Sequence, residues 1–211
     1  MPEIEHIVFD LSEVLVNGIV DLPDKIGEHL RGENHNYSDS QISEVFFDAN
    51  YESLNALFRG EISEELFWRR FIGLGDFPVS VRELKGLARQ GFWKFSHSEK
   101  TIGTLKAEGY NLVLLSDHGK DWIKYIEQEI GFLQLFDTRC YSFDSHHTKK
   151  EKENFDYMIN KSGINPKHAL FVDDFEINLR ISKKAGIGYT HLFRGFPELK
   201  KRFDELGISC S

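Results

Sequence analysis

At 211 residues, with 40% hydrophobic and 28% charged side chains, the chain has ordinary globular composition, which excludes a fibrous or wholly disordered protein. That length suits one core domain with a modest insertion. Its 26 basic residues against 34 acidic ones, a net charge of −8, argue against a nucleic-acid backbone as partner, which takes clustered Lys and Arg; a small phosphorylated substrate stays compatible, because a lysine, a metal ion or a helix N-terminus can make one site locally positive.

The opening MPEIEHIVFD has no basic segment followed by a long apolar run, and no uncharged apolar stretch nears the roughly 18 residues of a membrane span. A cytoplasmic protein with no membrane partner is expected. Residues 4–9 are mostly apolar and β-favouring, the pattern of a buried central strand in a parallel sheet, and Asp10 stands at its carboxyl end. From Val16 to about Phe95 strand-like runs vanish. Segments such as DSQISEVFFDANYESLNALFRG and EISEELFWRRFIGLG carry helical periodicity, and Ser63 followed by Glu64 and Glu65 marks a helix start with acids in its first turn. The aromatic residues of this stretch, among them Phe46, Phe67, Trp68 and Phe71, are expected to form the core of a small helical bundle.

Beyond the insertion, a helix-like TIGTLKAEGY precedes a second apolar strand at Asn111–Ser116, and a weaker strand is expected at residues 138–143. After the helix-like FDYMINKSGI comes a strand at residues 169–172 that ends at Asp173, and another is expected at residues 188–193. Strands separated by helix-length segments imply right-handed βαβ crossovers, an α/β fold with a doubly wound parallel sheet, and a ligand crevice beyond the carboxyl ends of the strands. Cys140 and Cys210 have no metal-ligand spacing and are read as free thiols.

Three of these strands deliver Asp10, Ser116 and Asp173 to one edge. In isolation Asp10 reads as a turn or helix-capping residue and Asp173-Asp174 as a solvated turn. At strand ends they acquire chemistry: a carboxylate beside a cation suits attack on phosphorus or carbon through a covalent ester, and paired carboxylates are hard oxygen ligands of the kind Mg2+ takes.

Four motifs in order carry a resemblance to the haloacid dehalogenase-like hydrolase superfamily, in the branch with a helical cap inserted after the first motif. IVFDLSEVL resembles the strand and nucleophilic Asp, which maps to Asp10. LVLLSD resembles the strand ending in a phosphoryl-binding hydroxyl, which maps to Ser116 with Asp117 beside it. A lysine ahead of a helix maps to Lys149 in preference to Lys150, on its spacing of 24 residues from Asp173. FVDDFEIN resembles the acidic loop, with Asp173 and Asp174 at metal positions and Asn178 as a supporting polar residue. The resemblance implies a Rossmann-like core of about five parallel strands in order 3-2-1-4-5, built from residues 1–15 and 96–211, and a cap spanning 16–95. It further implies Mg2+ bound by Asp10, Asp173 and Asp174, and a phosphatase acting on a small phosphorylated metabolite through an aspartyl-phosphate at Asp10, with Lys149 as a second catalytic residue.

One position departs from that pattern. Where phosphatases of this kind carry a second Asp two residues after the nucleophile, this chain has Ser12, expected to contact substrate but no match for a carboxylic acid as proton donor, a function worth roughly 10²- to 10⁴-fold. Glu13 is a possible substitute. A specialised phosphatase, a haloacid dehalogenase whose halide leaves unprotonated, and a catalytically impaired binding or regulatory protein are the three readings consistent with Ser12. His118, His146 and His147 fall near the expected active edge and are given no role.

Overall fold

The computed structural model describes residues 4–210; residues 1–3 and 211, at the outer ends of the expected core segments, lie outside the described residues. Five strands, β1 (His6–Phe9), β2 (Asn111–Ser116), β3 (Thr138–Tyr141), β4 (Ala169–Asp173) and β5 (Tyr189–Leu192), form one sheet in the order β3-β2-β1-β4-β5 with every pair parallel. The apolar runs alternate between the two faces. Ile7, Phe9, Leu112 and Leu114 join one core cluster, while Val8, Val113, Leu115 and Phe171 join the other, so β1 and β2 have no polar face and must lie between helical layers. The expected fifth strand is shorter than its apolar run, and the run at residues 138–143 turns helical at Ser142.

Between β1 and β2 lie six α-helices and no strand: α1 (Leu22–Gly32), α2 (Asp39–Glu44), α3 (Tyr51–Phe58), α4 (Glu64–Gly75), α5 (Val81–Gly91) and α6 (Ser98–Ala107). The caps are written in the sequence. Ser38 and Ser80 form capping boxes with Gln41 and Glu83, and Ser63 accepts a hydrogen bond from the Leu66 amide at 3.2 Å. A π-helical turn, Val45–Ala49, joins α2 to the stretch before α3 and buries Phe46 against Phe67, Trp68 and Phe71.

The chain leaves the sheet layer through residues 15–17 and returns through residues 93–95, and these two crossings pair with each other. The Asn17 amide donates to the Trp93 carbonyl at 2.8 Å, the Phe95 amide to the Leu15 carbonyl at 3.1 Å, and the Asn17 side chain to the Gly91 carbonyl at 2.8 Å. The second half supplies α7 (Lys120–Glu129), a short α8 (Ser142–Ser145), α9 (Lys152–Ser162), α10 (Glu176–Lys184) and α11 (Phe196–Leu206), which cover the sheet. No helix among the described residues is long and apolar enough to cross a membrane.

Candidate active site

The strand order reverses at β1, which pairs β2 on one side and β4 on the other, and a crevice opens at the carboxyl ends of these strands. Asp10 continues β1, its amide donating to the Val172 carbonyl at 2.9 Å, and Asp173 ends β4. Neighbouring parallel strands in register thus bring two carboxylates to one point. Lys149, in the segment between α8 and α9, sends its ammonium between them: Nζ lies 2.6 Å from Asp10 Oδ1 and 2.7 Å from Asp173 Oδ2. All three side chains are buried. Lys150 points elsewhere, donating to the Tyr51 hydroxyl at 2.9 Å, so only Lys149 reaches the carboxylates.

Each member is held by neighbours. Asp173 Oδ1 accepts from the Phe175 amide at 2.8 Å and from Asn178 Nδ2 at 2.9 Å, which fixes the acidic loop to the first turn of α10. Asp10 Oδ1 also accepts from the Leu11 amide at 2.7 Å. The Lys149 backbone is anchored by Asp117, whose two oxygens accept from the Lys149 amide at 3.1 and 2.9 Å, and Asn154 adds a third hydrogen bond at 3.3 Å. Asp117 was expected to bind substrate; it lines the cavity, but its oxygens are engaged in holding the lysine segment.

The charge balance of this cluster is its main physical feature. Oxygens of Asp10, Asp173 and Asp174 lie within 4.8 Å of one another, facing a single ammonium. Burial pushes the Asp10 carboxyl well above its ordinary value, Lys149 opposes that, and Asp173 and Asp174 add to it. Asp174 is pushed up to about 6 by burial and by Asp173. Burial alone would lower Lys149, but the Asp10, Asp173 and Asp117 carboxylates outweigh it and raise the ammonium above its ordinary value. Three carboxylates against one ammonium leave an excess of negative charge in a poorly solvated place, and hard oxygen donors at this spacing fit a divalent cation such as Mg2+.

Ser12 and Ser116 fall differently. Ser12 lines the crevice, and its hydroxyl is hydrogen-bonded to His118 Nε2 at 2.6 Å. Ser116, expected to touch the phosphoryl group, is fully buried, has no hydrogen-bond partner among the described residues and is not part of the cavity lining, because β2 is buried on both faces to its last residue. Glu13, in a left-handed conformation at φ 59°, lines the cavity and uses Oε1 to accept from the Gly18 amide at 2.9 Å, which braces the crossing. Gly18 is required there, since a Cβ would sit 2.8 Å from the Ser12 Cβ.

The residue missed from sequence is His118. It is buried among Phe58, Phe92 and Trp122, and burial together with the Lys149 charge lowers its imidazole to about 3, so the ring is neutral at any working pH. Its amide donates to Ser142 Oγ at 3.2 Å, and Ser142 donates to the Phe58 carbonyl at 2.6 Å. The signal available was only its position two residues after Ser116. The whole cavity measures about 310 Å³, charged at the strand ends and lined on its other side by side chains of α3 and the loop after β1.

Comparison with known proteins gives a consistent picture. The profile of haloacid dehalogenase-like hydrolases matches residues 7–191. A phosphoglycolate phosphatase of Salmonella paratyphi A (strain ATCC 9150 / SARB42) is 24% identical over 110 residues, 52% of this chain and 44% of that protein. Flavin mononucleotide hydrolase 1 of Arabidopsis thaliana is 24% identical over 154 residues, 72% of this chain and 61% of that one. The chain thus spans about half the length of the curated relatives it matches. Among solved structures, HAD family enzyme bt-2542 from Bacteroides thetaiotaomicron, in complex with magnesium and inorganic phosphate, superimposes with a TM-score of 0.73 at 20% identity, covering 93% of this chain and 98% of that one.

Proposed function

This chain belongs to the haloacid dehalogenase-like hydrolase family, and from that premise we propose that it is a Mg2+-dependent phosphatase that hydrolyses a small phosphate monoester through an aspartyl-phosphate at Asp10. The observation that carries the reading is the meeting of Asp10, Lys149, Asp173 and Asp174 at the carboxyl ends of β1 and β4. The curated relatives named as phosphatase and flavin mononucleotide hydrolase, and the magnesium and phosphate bound in the Bacteroides enzyme, favour the same chemistry.

Asp10, Asp173 and Asp174 would hold the Mg2+ ion, which when bound supplies positive charge to offset the carboxylates and the incoming phosphate. Lys149 opposes the effect of burial on Asp10 and presents its ammonium to the equatorial phosphate oxygens, where charge develops during transfer. Asp10 attacks phosphorus in line, the ester oxygen departs, and water then cleaves the acyl phosphate to return the carboxylate. Asn178 and Asp117 act by holding Asp173 and the Lys149 segment in place. Residues 1–15 and 96–211 form the core in this reading, and residues 16–95 the cap that admits substrate and sheds bulk water. The cytoplasm is the compartment we assign, in keeping with two free cysteines.

The test is release of inorganic phosphate or halide from a panel of phosphate monoesters and 2-haloacids, with Mg2+ and with chelator. Phosphate release that chelator stops and Asp10→Asn abolishes, with the fold unchanged by circular dichroism, is the expected result. Chelator-resistant release of halide would replace this reading with dehalogenation.

A further inference from the structure

The cavity is divided between a charged end and an apolar end. At the strand ends stand Asp10, Lys149 and Asp174; facing them are Ile19, Phe47, Leu54 and Phe58, together with Val20, Tyr51 and Phe175 at the mouth. The last three are the informative ones. They come from three separate segments, and they are 51%, 40% and 55% exposed, among the most exposed large hydrophobic side chains of the described residues. Apolar surface gathered at one opening, rather than scattered singly, marks a place that a ligand covers.

The polar groups on that side are few, and three of them are bonded within the protein. Glu13 Oε1 is taken by the Gly18 amide, Asn55 Nδ2 donates to the Tyr51 carbonyl at 3.1 Å, and Lys150 Nζ donates to the Tyr51 hydroxyl while lying 5.0 Å from the centre of that ring. A polyhydroxylated leaving group would exchange water for few partners among these apolar side chains, at a cost in unpaired hydroxyls. A flat apolar ring loses nothing of the kind.

The proton inventory points the same way. Near the place where an ester oxygen would depart, Ser12 offers only a hydroxyl, hydrogen-bonded to a neutral His118, and Asp117 has both oxygens engaged by the Lys149 amide. Neither is a free carboxylic acid, so a departing oxygen that is stable as an anion suits this site best.

Resting on the phosphatase reading above, the geometry points to aryl phosphate monoesters, an aromatic ring bonded directly to the ester oxygen, as the substrate class of this site. The phosphate sits at the charged end and the ring among Leu54, Phe47, Tyr51 and Phe175. The bond from phosphorus to the aryl oxygen breaks as the bond to the Asp10 carboxylate forms; the aryloxide leaves with the electron pair and takes its proton from solvent, and water then attacks the acyl phosphate, releasing inorganic phosphate, a proton and free Asp10.

The experiment measures kcat/KM of the full chain with Mg2+ on 1-naphthyl phosphate, glucose 6-phosphate and acetyl phosphate. Acetyl phosphate carries no ring and leaves without protonation, so it reports the phosphatase chemistry alone. We expect 1-naphthyl phosphate to exceed glucose 6-phosphate by about 100-fold, and Tyr51→Ala and Phe175→Ala each to lower the ratio of naphthyl to acetyl phosphate turnover by about tenfold. Turnover of acetyl phosphate with glucose 6-phosphate equal to or better than the aryl ester overturns the substrate class and leaves the phosphatase reading standing, as does an unchanged ratio in both variants. Absence of turnover on all three, acetyl phosphate included, overturns the phosphatase reading and the substrate class with it.

Discussion

Glu64 makes the most demanding single test of how the helical insertion is seated on the sheet layer. Placed in the first turn of α4, where an acid ordinarily faces water, it is instead buried: Oε1 accepts from Trp68 Nε1 at 3.1 Å and from Trp122 Nε1 at 2.7 Å, and both its oxygens meet the Arg89 guanidinium. Trp122 belongs to α7, so one carboxylate ties α4 and α5 to the other side of the molecule. Glu64→Ala strands two indole donors that have no access to water, each at about 1–3 kcal/mol. Arg89 keeps some solvent contact, its side chain being 23% exposed, so its loss adds little. The expected destabilisation is about 3–5 kcal/mol, set against a total of about 5–15 kcal/mol for a typical domain. Glu64→Gln, which keeps one carbonyl for the indoles, should cost less. Urea unfolding followed by circular dichroism measures both, with the midpoint falling and the slope unchanged. A Glu64→Ala protein within 1 kcal/mol of the parent would refute the claim that these donors are paired only through Glu64. The pH dependence has a definite sign. Burial opposes the charge, but Arg89 and the two indole N–H groups outweigh it and hold the carboxyl below its ordinary 4.5. The contribution is therefore complete above 4.5 and is lost as pH falls through the lower folded value, so parent and Glu64→Gln stabilities should converge in acid.

Other measurements address the remaining features. Mg2+ should raise the melting temperature of the parent, equivalent to about 2.7 kcal/mol at 100 times its dissociation constant, and Asp174→Asn should reduce that gain; an equal shift in both proteins would remove Asp174 from the ion's ligands. Ser12→Asp places a carboxylate beside His118 Nε2 and should move its imidazole upward from about 3, read by NMR titration, while raising phosphatase turnover by up to roughly 10²-fold. Burial pushes the Cys140 thiol up to about 12, so a thiol reagent at pH 8 should modify only the partly exposed Cys210 until the protein is unfolded; rapid labelling of both in the native state would contradict the packing of β3.

What could be read from sequence was the half of the site that strands position. Buried parallel strands are continuous apolar runs, and the polar residue that ends such a run is delivered to the sheet edge by geometry alone, which is why Asp10 and Asp173 stood out. Lys149 was reachable only through resemblance, since KKEKEN has no periodicity that separates it from Lys150; the distinction is made in space, where Asp117 and Asn154 fix the segment. Side chains that act through tertiary contacts left no local mark. Glu64 followed the ordinary preference of a helix first turn and was buried by Trp122, 58 residues away. His118 had nothing in its neighbours to distinguish it from a loop histidine, because its partner Ser12 is 106 residues distant. The Ser116 hydroxyl, expected at the cavity, is fully buried at the end of β2 and has no hydrogen-bond partner among the described residues.

These long-range contacts join into one connection between the insertion and the chemistry. The Phe58 carbonyl at the end of α3 accepts from Ser142, Ser142 accepts from the His118 amide, and the His118 ring is bonded to Ser12, two residues from Asp10. Trp122, which Glu64 holds, packs against the same His118 ring at a centroid distance of 6.0 Å and against Phe58 at 6.2 Å. Seating of the insertion and placement of the loop after Asp10 therefore depend on shared atoms. The Phe58–Ser142 hydrogen bond links the end of α3 to His118 and Ser12. The Asp10, Lys149 and Asp173 cluster is held by bonds from the sheet and the segment after α8, and that segment also meets α3 through the Lys150–Tyr51 hydrogen bond.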